Sequence, residues 1–230
     1  MGFVDLFYPR FCLGCGTVGV YLCLNCRKKL VYLEKDRCFY CQKPSLHGLT
    51  HPGCQKKNGI DGFISIFQYN NFLKKIIKSF KYRLAVLVWK EFCLSIQAEK
   101  LFKITFYKKI VEKETTFLQP IPLFPKKLRE RGFNQAKIIS NFFQPFLNLT
   151  IADEIIRVKE TKPQAQIGQK RKRLLKIKGA FKIRDKQNIT EKSFIIVDDL
   201  LTSGKTAEEA AKTLKKAGAK KVFILTLAKG

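Results

Sequence analysis

No apolar run in the 230 residues reaches the ~20 residues that a membrane-crossing helix needs. The opening MGFVDLFYPR lacks the basic stretch and long apolar core of a secretory signal. Leu6 stands where a myristoylation signal has Ser or Thr. These absences make a cytoplasmic protein the expectation. Acidic residues are scarce: 18 Asp and Glu stand against 45 Lys and Arg, a net charge of +27. Such an imbalance attracts polyanions and speeds encounter with nucleic acid, though it also fits a generally solvated, lysine-rich surface. Low-complexity tracts are missing, and so are repeats beyond paired cysteines. The 46% hydrophobic content fits a folded chain, long enough for one medium domain and a small appendage.

The cysteines are unevenly spread. Seven of the eight precede residue 55. Cys12-x-x-Cys15 and Cys23-x-x-Cys26 form two knuckles, and Cys38-x-x-Cys41 and His51-x-x-Cys54 form two more. A Cys-x-x-Cys turn aims two sulfurs at one ion, and four soft ligands suit tetrahedral zinc. Disulfides are the alternative, disfavoured in a reducing compartment. Sequential pairing gives one site of four cysteines and one of three cysteines with His51; interleaved pairing fits the spacing equally well. His47 is the weaker competitor because only His51 keeps the knuckle spacing. With every position filled by protein, such zinc is structural and no metal hydrolysis is expected. Cys93 lies apart, in an apolar helical stretch, and is read as a core residue.

Residues 194–206, FIIVDDLLTSGKT, carry most of the functional signal. Phe194 to Val197 predict a buried strand with Asp198 and Asp199 at its carboxyl end. Thr202 to Thr206 form a small, hydroxyl-rich turn. Ala207, Ala210, Ala211, Leu214 and Ala217 then recur at helical spacing, and Gly218 stops the helix. Free N–H groups at a helix start favour a phosphate. Two carboxylates accept hydrogen bonds from neighbouring hydroxyls or hold the waters of a magnesium ion. Gly204-Lys205-Thr206 matches the end of a P-loop, but Asp199 stands where that motif needs its first glycine. An ordinary strand–helix turn with solvated acids is the plain alternative; adjacent acids repel and need a reason.

Gly59 and Gly62 around Asp61 mark a boundary, giving a metal module over 1–58 and a main domain over 59–230. Residues 63–69 predict a strand. Leu73, Ile76, Ile77 and Phe80 make an apolar helical stripe, and a second helical stretch covers 84–104. Phe117 to Ile121 predict a strand ending in Pro120-Ile121-Pro122. Lys126, Lys127, Arg129 and Arg131 follow in what reads as a basic loop suited to pyrophosphate. Residues 135–143 predict a helix that Pro145 interrupts. Lys221 to Ala228 predict a closing buried strand. Alternating strands and helices imply an α/β fold of three layers around a mostly parallel sheet, with its ligand crevice at the strands' carboxyl ends.

The 194–206 segment resembles the signature of type I phosphoribosyltransferases, which bind phosphoribosyl pyrophosphate. The resemblance implies that Asp198 and Asp199 take the ribose hydroxyls and Thr202, Ser203, Gly204, Lys205 and Thr206 wrap the 5-phosphate. Leu200 and Leu201 lie within the same ligand-binding stretch, and Arg131 joins it from upstream. Hypoxanthine-type members carry Asp where Thr202 stands, which argues against that subclass. Residues 118–135, LQPIPLFPKKLRERGFNQ, and 157–181, RVKETKPQAQIGQKRKRLLKIKGAF, resemble the ComF family of competence proteins. Arg129, Arg131, Gly132, Phe133, Asn134 and Gln135 match its Arg-x-Arg-Gly-Phe-Asn-Gln pattern. Thr161, Pro163, Gln164, Ala180 and Phe181 match later positions, whereas Lys176 replaces an Asn. The family also implies an N-terminal zinc ribbon.

Arg157 to Lys186 hold twelve basic and two acidic residues, densest at Lys170, Arg171, Lys172 and Arg173. That cluster suits either a pyrophosphate or a DNA backbone. The first functional reading is a ComF-family protein that binds phosphoribosyl pyrophosphate with Mg2+ and handles single-stranded DNA in natural transformation, with a DNA-translocation helicase as candidate partner. The second is a working phosphoribosyltransferase in nucleotide salvage; no proton-transfer residue or base-recognition hood is assigned. A redox or zinc-storage module is the third, and nothing outside the cysteines speaks for it.

Overall fold

A computed structural model describes residues 9–80, 85–97, 101, 104, 106, 115–160 and 177–230. Five strands form one sheet: β1 (Gly62–Gln68), β2 (Thr116–Pro120), β3 (Thr150–Ile151), β6 (Ser193–Leu201) and β7 (Val222–Lys229). Their spatial order is β1-β7-β6-β2-β3, and every pairing is parallel. A separate antiparallel pair joins β4 (Ile155–Arg157) to β5 (Phe181–Ile183).

Side chains alternate across a strand, so each buried strand serves two cores. On one face Ile64, Ile66, Leu118, Ile195, Val197, Phe223 and Leu225 meet three helices. These are α2 (Asn71–Ser79), α3 (Ala85–Cys93) and α5 (Gln135–Leu147). On the other face Phe63, Phe194, Ile196, Val222 and Ile224 meet Ala207, Ala210, Ala211 and Leu214 of α6 (Lys205–Lys216). The result is a three-layer α/β fold. Small alanines on α6 let that helix lie close to the sheet.

Several boundaries differ from the sequence expectation. β6 is nine residues long and carries Asp198 to Leu201 inside it, because β7 keeps pairing as far as Leu201 opposite Lys229. The segment after Pro122 is not a loop but the helix α4 (Pro125–Arg131). Pro125 supplies its first turn, and Gly132 ends it in the left-handed conformation (φ 78°), donating to the Leu128 carbonyl at 2.8 Å. α5 does not stop before Pro145. It runs to Leu147 because Phe143 and Leu147 are buried in the core, and Asn148 (φ 53°) closes it. α3 ends at Cys93, where the predicted stretch to 104 breaks: Ser95 takes the Glu91 carbonyl with its hydroxyl at 3.0 Å and tightens the turn, and Ile104 and Phe106 are helical again.

The cysteine-rich segment is stitched to this sheet along its length. Glu91 of α3 accepts from the amides of Tyr21 and Leu22, both at 2.8 Å. Residues 31–33 lie antiparallel along the outer edge of β1: Leu33 donates to Ile66 and Gln68 to Val31, each at 2.8 Å. That pairing covers an edge that would otherwise be open to another chain. Among its described residues the segment carries the short helix α1 (Leu24–Arg27) and 3-10 turns at Leu46–Gly48 and Pro52–Cys54.

Candidate functional site

β2 and β6 are neighbours, yet the chain leaves them on opposite faces: β2 leads through α4 and α5 to β3, and β6 leads through α6 to β7. Such a reversal opens a crevice at the strands' carboxyl ends. β2 stays paired with β6 only as far as Pro120 opposite Val197. Asp198 and Asp199 come next, just where the neighbour turns away.

The acidic pair is electrostatically loaded. Burial first, then the charge of Asp199, push the Asp198 carboxyl well above its usual range; the Arg157 guanidinium pulls the other way. The Asp199 amide donates to Asp198 Oδ1 at 2.9 Å. Burial raises the Tyr69 hydroxyl, and the charge of Asp199 adds to that shift. Cations crowd the opposite wall. Burial lowers Lys127, and the charges of Arg157 and Arg131 lower it further. Burial lowers Arg157 too, with Asp198 opposing. An anion placed among these cations would relieve their mutual repulsion.

The segment RGFNQ builds this wall. Asn134 caps α5 by accepting from the Ala136 amide at 3.0 Å, and its side-chain amide donates to the Ile121 carbonyl at 3.0 Å. The α5 start is thereby tied to the exit of β2. Gln135 is buried and accepts from Arg131 Nη1 at 3.0 Å, fixing that guanidinium at the end of α4.

Beyond β6, Thr202 and Ser203 are exposed and Gly204 is buried. Gly204 adopts φ 71° and begins α6, and no side chain caps that helix. The first amides of a helix lack intrahelical acceptors, so Lys205, Thr206 and Ala207 present donors and the positive end of the dipole. Leu201 is buried and Leu200 packs on the core, so their side chains serve packing. A cleft of about 470 Å³ adjoins this turn, with Lys56, Lys178, Lys205 and Lys212 facing Glu208 and Glu209.

The cysteines gather into two clusters by sequential pairing: Cys12, Cys15, Cys23 and Cys26, then Cys38, Cys41, His51 and Cys54. Within each, the donor atoms lie within 4.8 Å of one another. Cys15 and Cys23 sulfurs stand 3.6 Å apart. Tetrahedral zinc with ~2.3 Å bonds sets such edges near ~3.8 Å, so the donors fit that ion. His51 turns Nδ1 toward Cys41 at 3.3 Å, while Nε2 faces the Pro44 carbonyl at 3.0 Å. A metal-bound imidazole uses such a carbonyl to fix its tautomer. Hydrogen bonds from Thr17 lower Cys15 to about 6. Burial acts to raise Cys38, but the amides of Cys41, His51 and Tyr40 hold it at about 7. Each cluster thus holds at least one sulfur shifted toward the thiolate, and in the first Cys12 is lowered as well. His47 instead stacks on Phe106, with centroids 3.3 Å apart. Cys93 is half-buried, and burial pushes its thiol to about 12, which suits an inert packing residue.

Arg157 was not singled out by its sequence. It sits on a three-residue strand that shows no periodicity, and only the fold brings it to Asp198. Lys170 to Arg173, together with Thr161, Pro163, Gln164 and Lys176, lie outside the described residues.

Residues 129–230 match the phosphoribosyl transferase domain, and residues 3–55 match the double zinc ribbon domain. Fold and site together define a phosphoribosyltransferase-type α/β domain preceded by a double zinc ribbon. Over most of its length the chain is similar to competence proteins of the ComF type. Competence protein F of Haemophilus influenzae is 27% identical, over 91% of this chain and 97% of its own. Competence protein ComFC of Bacillus subtilis is 28% identical, over 86% of this chain and 79% of its own. ComFC of Streptococcus pneumoniae is 27% identical, over 90% of this chain and 86% of its own.

Proposed function

We propose that this protein acts in natural transformation, handling single-stranded DNA, and that it binds phosphoribosyl pyrophosphate with Mg2+ at the end of β6. The observation that carries the ligand assignment is the juxtaposition in one crevice of the Asp198–Asp199 pair, the uncapped start of α6 and the cations Lys127, Arg131 and Arg157. Asp198 and Asp199 accept hydrogen bonds from the two ribose hydroxyls. The Thr202–Thr206 turn and the α6 amides take the 5-phosphate, and the cations on the β2 side take the pyrophosphate. Mg2+ supplies charge neutralisation for the pyrophosphate. The competence assignment rests on the names of the relatives, and DNA handling rests on the net charge of +27 and the basic run that includes Lys170, Arg171, Lys172 and Arg173.

The match of residues 129–230 to the phosphoribosyl transferase domain favours one other reading, turnover of the bound sugar onto a base. One set of samples separates the two. The protein is incubated with Mg2+, phosphoribosyl pyrophosphate and each common base, and pyrophosphate is assayed. The same preparation is titrated with a single-stranded oligonucleotide at several salt concentrations. Ligand binding without base-dependent pyrophosphate is expected, with a log–log salt slope of about −0.7 per phosphate contacted. Base-dependent release would establish the transferase instead. A flat salt slope would remove the DNA assignment.

A further inference from the structure

We propose that Phe39, carried on the second metal knuckle, is a positioning residue for the Thr202–Gly204 turn, so that metal occupancy at Cys38, Cys41, His51 and Cys54 is linked to sugar-phosphate affinity. The inference rests on the ligand assignment above. Phe39 lies between two donors of the cluster, Cys38 and Cys41, and its ring is only 8% exposed. The ring tip abuts Gly204: a Cβ at that position would meet Phe39 Cζ at 2.6 Å. Gly204 also has φ 71°, so both conformation and space there require glycine. The ring therefore closes one side of the turn that begins α6.

The knuckle holds that ring from several directions. Phe39 packs edge-on against Tyr40, with centroids 5.1 Å apart, and against Phe63 of β1 at 6.1 Å. Tyr40 accepts from the Ile60 amide at 2.9 Å. Gln42, one residue past Cys41, hydrogen-bonds Lys229 of β7, the residue that pairs with Leu201. Lys56, two residues past Cys54, lies 4.0 Å over the Tyr40 ring and pairs with Glu208 of α6 at 3.5 Å. A side chain so fixed transmits the shape of the knuckle to the turn. A short turn of this kind has no core of its own, so its geometry follows from what it is attached to. The first cluster has different contacts: Gly14 abuts Phe72 of α2, and Tyr21 and Leu22 bond Glu91 of α3.

Linkage is reciprocal: if the knuckle orders the turn for its ligand, the ligand must hold the knuckle's metal more tightly by the same factor. The test uses the zinc-replete full chain as wild type, Phe39→Leu and Phe11→Leu, the last altering an exposed ring beside Cys12. Zinc occupancy is measured at equilibrium against graded concentrations of a competing colorimetric chelator, with and without Mg2+–phosphoribosyl pyrophosphate, and ligand affinity is measured by calorimetry. In the wild type, the ligand is expected to tighten the affinity for one zinc of two by about fivefold to tenfold. Phe39→Leu is expected to keep both ions, bind the ligand weaker by a similar factor and lose that tightening. Phe11→Leu should behave as wild type. A ligand-independent affinity for both ions in the wild type overturns the inference without recourse to any variant. So does a Phe39→Leu protein of full affinity. A wild type that does not bind the ligand at all instead removes the assignment beneath it, and the inference with it.

Discussion

At the scale of single residues, Asp198 sets stability against the ligand binding proposed for it. Its carboxyl is raised by burial and by Asp199, with a free-chain reference of 3.8. The folded chain therefore keeps this proton to higher pH than the unfolded chain. The stability it contributes is complete below about pH 4 and is lost as pH rises through the folded value. Asp198→Asn removes the charge but keeps an oxygen to accept the Asp199 amide. The variant should melt higher than wild type at pH 8, by roughly 2–4 °C if the gain is ~1 kcal/mol. The gain should shrink toward zero near pH 4. Equal melting temperatures at both pH values would contradict the buried-carboxylate account. Part of this was legible without coordinates, since two adjacent acids at a strand end advertise mutual repulsion. Arg157 was not. Its short strand follows another of two residues, and neither is long enough for period-2 alternation to register.

At the scale of elements, hydrophobic periodicity located the strands and helices, and tertiary pairing moved their ends. The apolar run Phe194–Val197 signalled β6, but the ladder to β7 carries it on through polar residues. Pro145 reads as a breaker and yet sits in the last turn of α5, where burial of Phe143 and Leu147 outweighs one missing hydrogen bond. A basic tract was read as a loop because its charges hid the Pro125 start and Gly132 stop of α4. The knuckle spacing predicted metal sites but left their pairing open. The fold gathers Cys12, Cys15, Cys23 and Cys26 apart from Cys38, Cys41, His51 and Cys54. Metal-replete protein should hold two zinc ions per chain by elemental analysis. One ion would show that one of the clusters binds none, and zero would remove the structural-zinc account.

At the scale of the whole molecule, the double zinc ribbon is built into the phosphoribosyltransferase-type domain rather than tethered to it. It docks on α3 through Glu91, covers the edge of β1 with residues 31–33, and reaches the start of α6 with Phe39. None of this docking was legible in the sequence, because it depends on tertiary contacts between residues from about thirty to more than a hundred and sixty positions apart. The consequence is a crevice with acids on β6, cations on the β2 side and a metal knuckle beside the start of α6. The central claim is that this crevice binds phosphoribosyl pyrophosphate through Asp198 and Asp199. Its most direct test is calorimetric titration of wild type and the Asp198→Asn/Asp199→Asn double variant with Mg2+–phosphoribosyl pyrophosphate, after circular dichroism has shown the same fold in both. Saturable one-to-one binding by the wild type, lost in the double variant, is the predicted result. Unchanged affinity in the double variant, or no binding by the wild type, would contradict the claim.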